Sequence, residues 1–183
     1  SQNTKRVASI FPVTPAEVAS QLMSVLEDVK LDAVKTGMLY SAEIVKAVSM
    51  HLRGVRAPIV VDPVMAATTG SALHVEGFVD ALVSRLLPMA ALVTPNTLEA
   101  ERLSGVKVKD EKSAKKAARE IIELGPDAVL VKGGHLKGAE AADYLCWNGR
   151  FVKISSPRLD VEVHGTGCAL ASLIAGNLAL GLE

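Results

Sequence analysis

Ile59-Val60-Val61-Asp62 is the stretch from which the fold can be read. An unbroken aliphatic run suits a strand covered on both faces, because a half-exposed strand would alternate apolar and polar positions. It ends on a carboxylate, at the C-terminal edge where open α/β sheets bind ligands. Ala90-Ala91-Leu92-Val93 and Ala128-Val129-Leu130-Val131 repeat the pattern downstream, and the shorter Ala33-Val34-Lys35-Thr36 precedes it. The spacing between these runs is filled by helical patterns, so the fold class is α/β with a mainly parallel central sheet and helices on both faces.

Thr14-Pro15-Ala16-Glu17 is a capping box with proline at the first helical position, and predicts a helix from Pro15 to about Val29. Its inward stripe is Val18, Leu22, Val25, Leu26 and Val29. Ser41 caps a second helix with Ile44, Val45, Val48 and Leu52 inward, closed by Gly54. A helix of roughly Val75 to Leu86 leads to Pro88, and Asn96 starts another with Glu99 three residues on. Asp110 opens the helix Glu111 to Leu124, with Ala114, Ala117, Ala118, Ile121 and Ile122 inward and Gly125-Pro126 as its stop. Asn148-Gly149 between Ala142–Cys146 and Phe151–Ile154 is a hairpin signal, which adds a small antiparallel element near the C-terminal end. The chain then crosses back to His164-Gly165-Thr166-Gly167-Cys168 and a final helix over Ala169–Leu180, expected to be buried through Leu170, Leu173, Ile174 and Leu178.

The 183 residues suit one domain. Apolar residues make up 49% of the chain and aromatics only 3%, so the core must be aliphatic. Twenty basic and twenty acidic residues cancel, without long runs of one sign, which argues against nucleic acid or an anionic membrane as partner and for small molecules. Cys146 and Cys168 have no close-spaced partner, so neither a disulfide framework nor a zinc knuckle is indicated, and a reducing, cytoplasmic setting is expected. No apolar run is long enough to span a membrane.

Polar groups are expected along one rim of the sheet: Thr36-Gly37, Asp62, Thr94 to Glu99, and Lys132 to His135, joined by the glycine turn at 165–167. A glycine turn followed by a helix aims free N–H groups and the positive dipole end at one point, which makes an anion site; it is equally an ordinary glycine-rich helix start. Anion donors, a lysine and two carboxylates are the parts needed for phosphoryl transfer, although no Walker A pattern occurs. Each part has a plainer reading. Asn96 with Glu99 is a helix cap, Asp62 before Pro63 is a turn-former, and Cys168 is a small buried side chain. Lys132 before two glycines is more suggestive, because glycine permits close approach of a ligand to the backbone. His135 and His164 lack an i, i+4 partner and read as loop histidines; Met38 and Met65 read as packing residues, and Cys146 as structural. Met65 to Leu73 is a candidate flap around Gly70. In the first turn of a helix, the Cys168 thiol is expected to be acidified and able to accept a proton from a substrate hydroxyl.

Gln2-Asn3-Thr4, Asp32 to Leu39, Val61 to Met65, Thr94-Pro95-Asn96 with Glu99-Ala100, Val131 to Leu136, and His164 to Cys168 together resemble the hydroxymethylpyrimidine/phosphomethylpyrimidine kinases of thiamine biosynthesis, within the ribokinase-like superfamily. The resemblance covers essentially the whole chain, in order. It implies ATP- and Mg²⁺-dependent phosphorylation of 4-amino-5-hydroxymethyl-2-methylpyrimidine and then of its monophosphate. On that resemblance Gly165, Thr166 and Gly167 would form the anion hole and Cys168 would be the base, where many relatives carry aspartate. Lys132, Gly134, Asn96 and Thr166 would face the ATP phosphates, Asp62 and Glu99 would hold the metal, and Gln2 and Cys168 would meet the pyrimidine. The flap carries Ala67-Thr68-Thr69-Gly70 where the family usually has Ala-Lys-Ser-Gly. The resemblance also implies a single kinase domain over 1–183 that lacks the family's first strand, substrate loop and C-terminal helices. A homodimer is common among relatives. Two other readings are a pyridoxine or pyridoxal kinase and a non-catalytic pyrimidine- or nucleotide-binding domain.

Overall fold

Four short strands, β1 (Val34–Thr36), β2 (Ile59–Val61), β3 (Leu92–Val93) and β4 (Ala128–Lys132), lie parallel and side by side in chain order. The computed structural model describes residues 6–67, 70–134, 136, 138–159 and 165–182. Gln2, Thr68, Thr69, His135 and His164 lie outside them. β5 (Glu140–Trp147) runs antiparallel to β4, and β6 (Arg150–Pro157) antiparallel to β5, completing a six-stranded mixed sheet. Asn148 and Gly149 both have positive φ, 48° and 71°, as a two-residue turn between right-twisted strands requires. The hairpin is longer than its apolar residues alone predict.

Strands paired in sequential order, joined by crossovers of one hand, leave the connecting helices on one face. That face carries α2 (Ala42–Leu52), α3 (Phe78–Ala81), α4 (Thr97–Ser104) and α5 (Glu111–Ile122). Their Ile44, Val45, Val48, Leu52, Phe78, Ala100, Ala114, Ala117, Ala118 and Ile121 bury against Ile59, Val61, Val93, Val129 and Val131. Alternate strand residues, Val60, Leu92, Ala128 and Leu130, point to the other face and meet Ala171 and Ala175 of α6 (Thr166–Ala179). The continuous apolar runs therefore mean what buried parallel strands require: both pleat faces are covered.

Several expectations change in three dimensions. α1 (Pro15–Asp28) forms with Thr14 as cap, but none of its residues is buried; only Val18 and Leu22 pack on the core, while Val25 and Val29 are about half exposed. α6 lies on the sheet through its small Ala171 and Ala175 with Leu170, Ile174 and Leu178 partly buried beside them, and of the expected stripe Leu173 turns outward, 66% exposed. The helix expected from Val75 begins only at Phe78, because Gly77 takes φ +79° just before it. It then loosens into a π-helical turn over Leu82–Leu86 and a 3₁₀ turn at Leu87–Met89, where Pro88 sits. β3 is cut to two residues, and Met38 is 44% exposed instead of packed. Met65 and Cys146 are buried as expected. No described helix is long and apolar enough to cross a membrane.

Candidate functional site

Period-two alternation decides which strand residues meet beneath α6. Register pairs Lys35 with Val60 and Val60 with Leu92, and Asp62 follows Val60 by two residues, so Lys35, Asp62 and Thr94 belong to the α6 face of the rim. Lys132 is two residues beyond Leu130 and joins them. The backbone continues the sheet past the strands: Asp62 N–H donates to Thr36 at 3.0 Å, Thr94 N–H to Val61 at 3.0 Å, and Lys132 N–H to Pro95 at 2.8 Å. The expected rim is thereby assembled.

Asp62 is its centre. It is 2% exposed, and its Oδ1 accepts from Lys132 Nζ at 2.9 Å and from Thr94 Oγ1 at 3.3 Å. Lys35 Nζ lies 3.7 Å from Oδ2, outside hydrogen-bonding distance, and Oδ2 has no hydrogen-bond partner. Two ammonium groups thus share one carboxylate. They lie under the start of α6, where Gly165 has φ +83° and no side chain caps the helix. A Cβ on Gly167 would stand 3.0 Å from Lys132 Nζ, which places that ammonium directly against the first turn. The first-turn N–H groups have no intrahelical partner, and the dipole end is itself positive. Two cations at a positive helix end repel unless an anion lies between them.

Asn96 and Glu99 make the helix cap in full. Asn96 Oδ1 accepts from Leu98 and Glu99 N–H at 2.9 Å, and Glu99 Oε2 accepts from Asn96 N–H at 2.8 Å. Glu99 also reaches across the site, with Met65 N–H at 3.4 Å from Oε1. Burial pushes its carboxyl above the ordinary value, aided by the Asp62 charge and opposed by Asn96 N–H and Lys132. Cys168 is an exposed residue, yet its thiol is pushed up, first by loss of water around the sulfur and then by the hydrogen bond and charge of Asp62; Lys35 and Lys132 pull the other way. The expected acidified thiol is therefore corrected: the neighbouring carboxylate outweighs the helix end.

The reading of the Lys132-Gly133-Gly134 turn changes at Gly133 alone. A Cβ on Gly133 would overlap the Ala142 carbonyl of β5, so this glycine serves the sheet and not a ligand; Gly134 faces open space. Asp143, opposite Lys132 in the β4–β5 register, accepts the Gly133 N–H at 2.9 Å and holds the turn. Neither Lys35 nor Asp143 was singled out by sequence reasoning. The signal for Lys35 was its place one residue before the rim position Thr36 in a strand otherwise bound for burial. Around the flap, Leu73 N–H donates to Met65 at 2.9 Å and Ala66 bridges Ala72, so the described part is a narrow hairpin-like loop. A groove lined by Lys109, Asp110, Gly133, Leu136, Tyr144 and Lys153 touches neither Asp62 nor α6.

The chain matches the family described as phosphomethylpyrimidine kinase over residues 1–183. It is 48% identical to the thiamine biosynthesis bifunctional protein ThiED of Geobacter sulfurreducens, over 99% of this chain and 37% of that protein. Among solved structures it resembles the phosphomethylpyrimidine kinase of Clostridium difficile, with TM-score 0.85 and 37% identity over 100% of this chain and 75% of that one. It also resembles a Staphylococcus aureus pyridoxal kinase in complex with AMP-PCP and pyridoxal, with TM-score 0.90 and 31% identity over 100% of this chain and 67% of that one. The chain thus spans little more than a third of the bifunctional relative and two thirds to three quarters of the solved kinases. With that match along its whole length and a ribokinase-like sheet whose rim gathers Asp62, Lys132 and the uncapped start of α6, the chain belongs to the phosphomethylpyrimidine kinase family.

Proposed function

We propose that the protein transfers the terminal phosphoryl group of ATP to the hydroxymethyl group of 4-amino-5-hydroxymethyl-2-methylpyrimidine, and then phosphorylates the resulting monophosphate. The observation that carries this reading is the pair of ammonium groups gathered at the uncapped N-terminus of α6 around a single buried carboxylate. Such a place binds a phosphate strongly and stabilises charge developing on a phosphoryl group. The names of the relatives support the substrate class.

In this reading the N–H groups of Thr166, Gly167 and Cys168 face the phosphoryl group in flight, and Gly165 supplies the left-handed turn that aims them. Lys132, Gly134 and Asn96 lie toward the nucleotide phosphates. The thiolate of Cys168 takes the proton of the substrate hydroxyl as its oxygen attacks phosphorus and the bond to the leaving diphosphate breaks. Because the thiol is held neutral at rest, only its minor thiolate form accepts that proton, and the rate rises with pH. Asp62 and Glu99 fit a Mg²⁺ ion, since Mg²⁺ takes one or two carboxylates plus phosphates and water, and Asp62 Oδ2 is buried without a hydrogen-bond partner. The ion, when bound, neutralises phosphate charge.

A pyridoxal kinase is the second reading, favoured by the close structural match to the Staphylococcus aureus enzyme. A coupled ADP-release assay with Mg-ATP, offering the hydroxymethylpyrimidine, its monophosphate and pyridoxal separately, decides between them. Turnover with the pyrimidines alone supports the proposal; turnover with pyridoxal alone replaces it. Ligand binding without any turnover would make the protein a binding domain.

A further inference from the structure

The two lysines at Asp62 are not equivalent. Lys132 donates a hydrogen bond to Oδ1 at 2.9 Å and lies against Gly167 of α6. Lys35 stands off the other oxygen at 3.7 Å, and its Nζ makes no hydrogen bond among the described residues. Its side chain is 21% exposed, so water and ligands can reach it. The ammonium lies against the bare backbone of Gly37, where a Cβ would stand 2.9 Å from Lys35 Nζ. β1 and β4 are separated by β2 and β3, which at about 4.8 Å per strand puts the two lysine backbones roughly 14 Å apart. Their ammoniums approach Asp62 from opposite sides, Lys132 from the side of the Lys132–Gly134 turn and Asn96, Lys35 from the side of Gly37. Lys132 is engaged by its hydrogen bond to Oδ1, whereas Lys35 has its donors to spare. An underused cation beside the anion-receiving helix start, on the side away from the nucleotide turn, calls for a second anionic group.

We propose that Lys35 binds the phosphate already present on the substrate in the second phosphorylation, and so sets the preference for a phosphomonoester over the neutral alcohol. The proposal rests on the pyrimidine kinase reading for its substrates. The point charge of a lysine suits a phosphomonoester dianion, and it offers nothing comparable to a neutral hydroxymethyl group.

The test compares wild type, Lys35→Met and Lys35→Arg with both pyrimidines. The quantity read is the ratio of kcat/KM for the monophosphate to kcat/KM for the alcohol, in which effects on ATP binding and on the shared chemistry cancel. Lys35→Met is expected to lower that ratio by about tenfold or more, as loss of a charge-assisted contact implies, and Lys35→Arg to restore most of it. An unchanged ratio overturns the proposal, because Lys35 would then serve Asp62 or the transferred phosphoryl group common to both steps. Calorimetry with the monophosphate in the absence of ATP gives a readout separate from turnover. If wild type turns over neither pyrimidine but binds the monophosphate, and Lys35→Met does not, the kinase reading fails while the Lys35 site stands. Equal monophosphate binding by wild type and Lys35→Met, or none by either, removes the site.

Discussion

At Cys168 two effects oppose each other: the start of α6 favours a thiolate, whereas partial burial and Asp62 favour the thiol, and the latter prevail. Replacement by alanine is expected to lower kcat by about 100-fold or more while KM for ATP moves less than about threefold, because the lost group acts only on the reacting proton. Wild-type kcat should climb as pH rises toward the ordinary thiol value of 9.0, which the folded protein exceeds. In Cys168→Asp the base is ionised throughout, and the profile should be flat across that range; a slope shared by both proteins would count against the thiol as base. Asp62 gives a second test at this scale. Lys132→Met leaves a carboxylate that is 2% exposed without its hydrogen-bonded cation, and should cost about 3 kcal/mol in urea unfolding. Adding Asp62→Asn should return part of that loss, since the buried charge, then paired only with Lys35 at 3.7 Å, goes with it.

The elements position these residues through their ends. α4 starts at the rim because Asn96 and Glu99 satisfy each other's backbone donors, and the same geometry aims Glu99 into the site, so cap and candidate metal ligand are one arrangement. The turn after β4 is shaped by its neighbour in the sheet: Gly133 passes so close to the Ala142 carbonyl that no side chain fits. Gly133→Ala should lower stability by about 1–3 kcal/mol, the usual cost of overpacking, and carry Lys132 out of register with Asp62. Gly134→Ala, with open space around it, should melt close to wild type. Equal melting temperatures for the two variants would show that the turn is not clamped by β5.

For the whole molecule, stability against pH sums two sets of carboxyls. Glu43, Asp110, Glu111 and Glu140 are on the surface and held below their ordinary values by hydrogen bonds. Their contribution is present above the unfolded values, is lost as pH falls, and weakens in salt. Glu99 and Asp143 are pushed up by burial and act in the opposite sense. Folding holds their protons longer than the unfolded chain does, so their contribution is full below the unfolded value and is lost as pH rises through the folded one. In Glu99→Gln, which can still accept the Asn96 N–H, the stability difference from wild type should therefore move in favour of the variant as pH rises above 4.5, and then level off. A difference that stays constant with pH would mean that Glu99 keeps an ordinary pKa.

Local chemistry was enough to place the parallel strands, the caps at Thr14, Ser41, Asn96 and Asp110, the hairpin turn at Asn148-Gly149, and the rim carrying Asp62, Lys132 and the glycine turn. These depend on residue type and spacing along the chain, and both are present in the sequence itself. Which lysine pairs with Asp62, which way the Cys168 thiol shifts, why Gly133 is bare, and how little of α1 and α6 is enclosed were decided only by tertiary structure. Each depends on distances between groups far apart in sequence, Lys132 and Asp62 being 70 residues apart. Burial and charge at such a meeting point are properties of the packed sheet, set by strand register and by the helix laid across it.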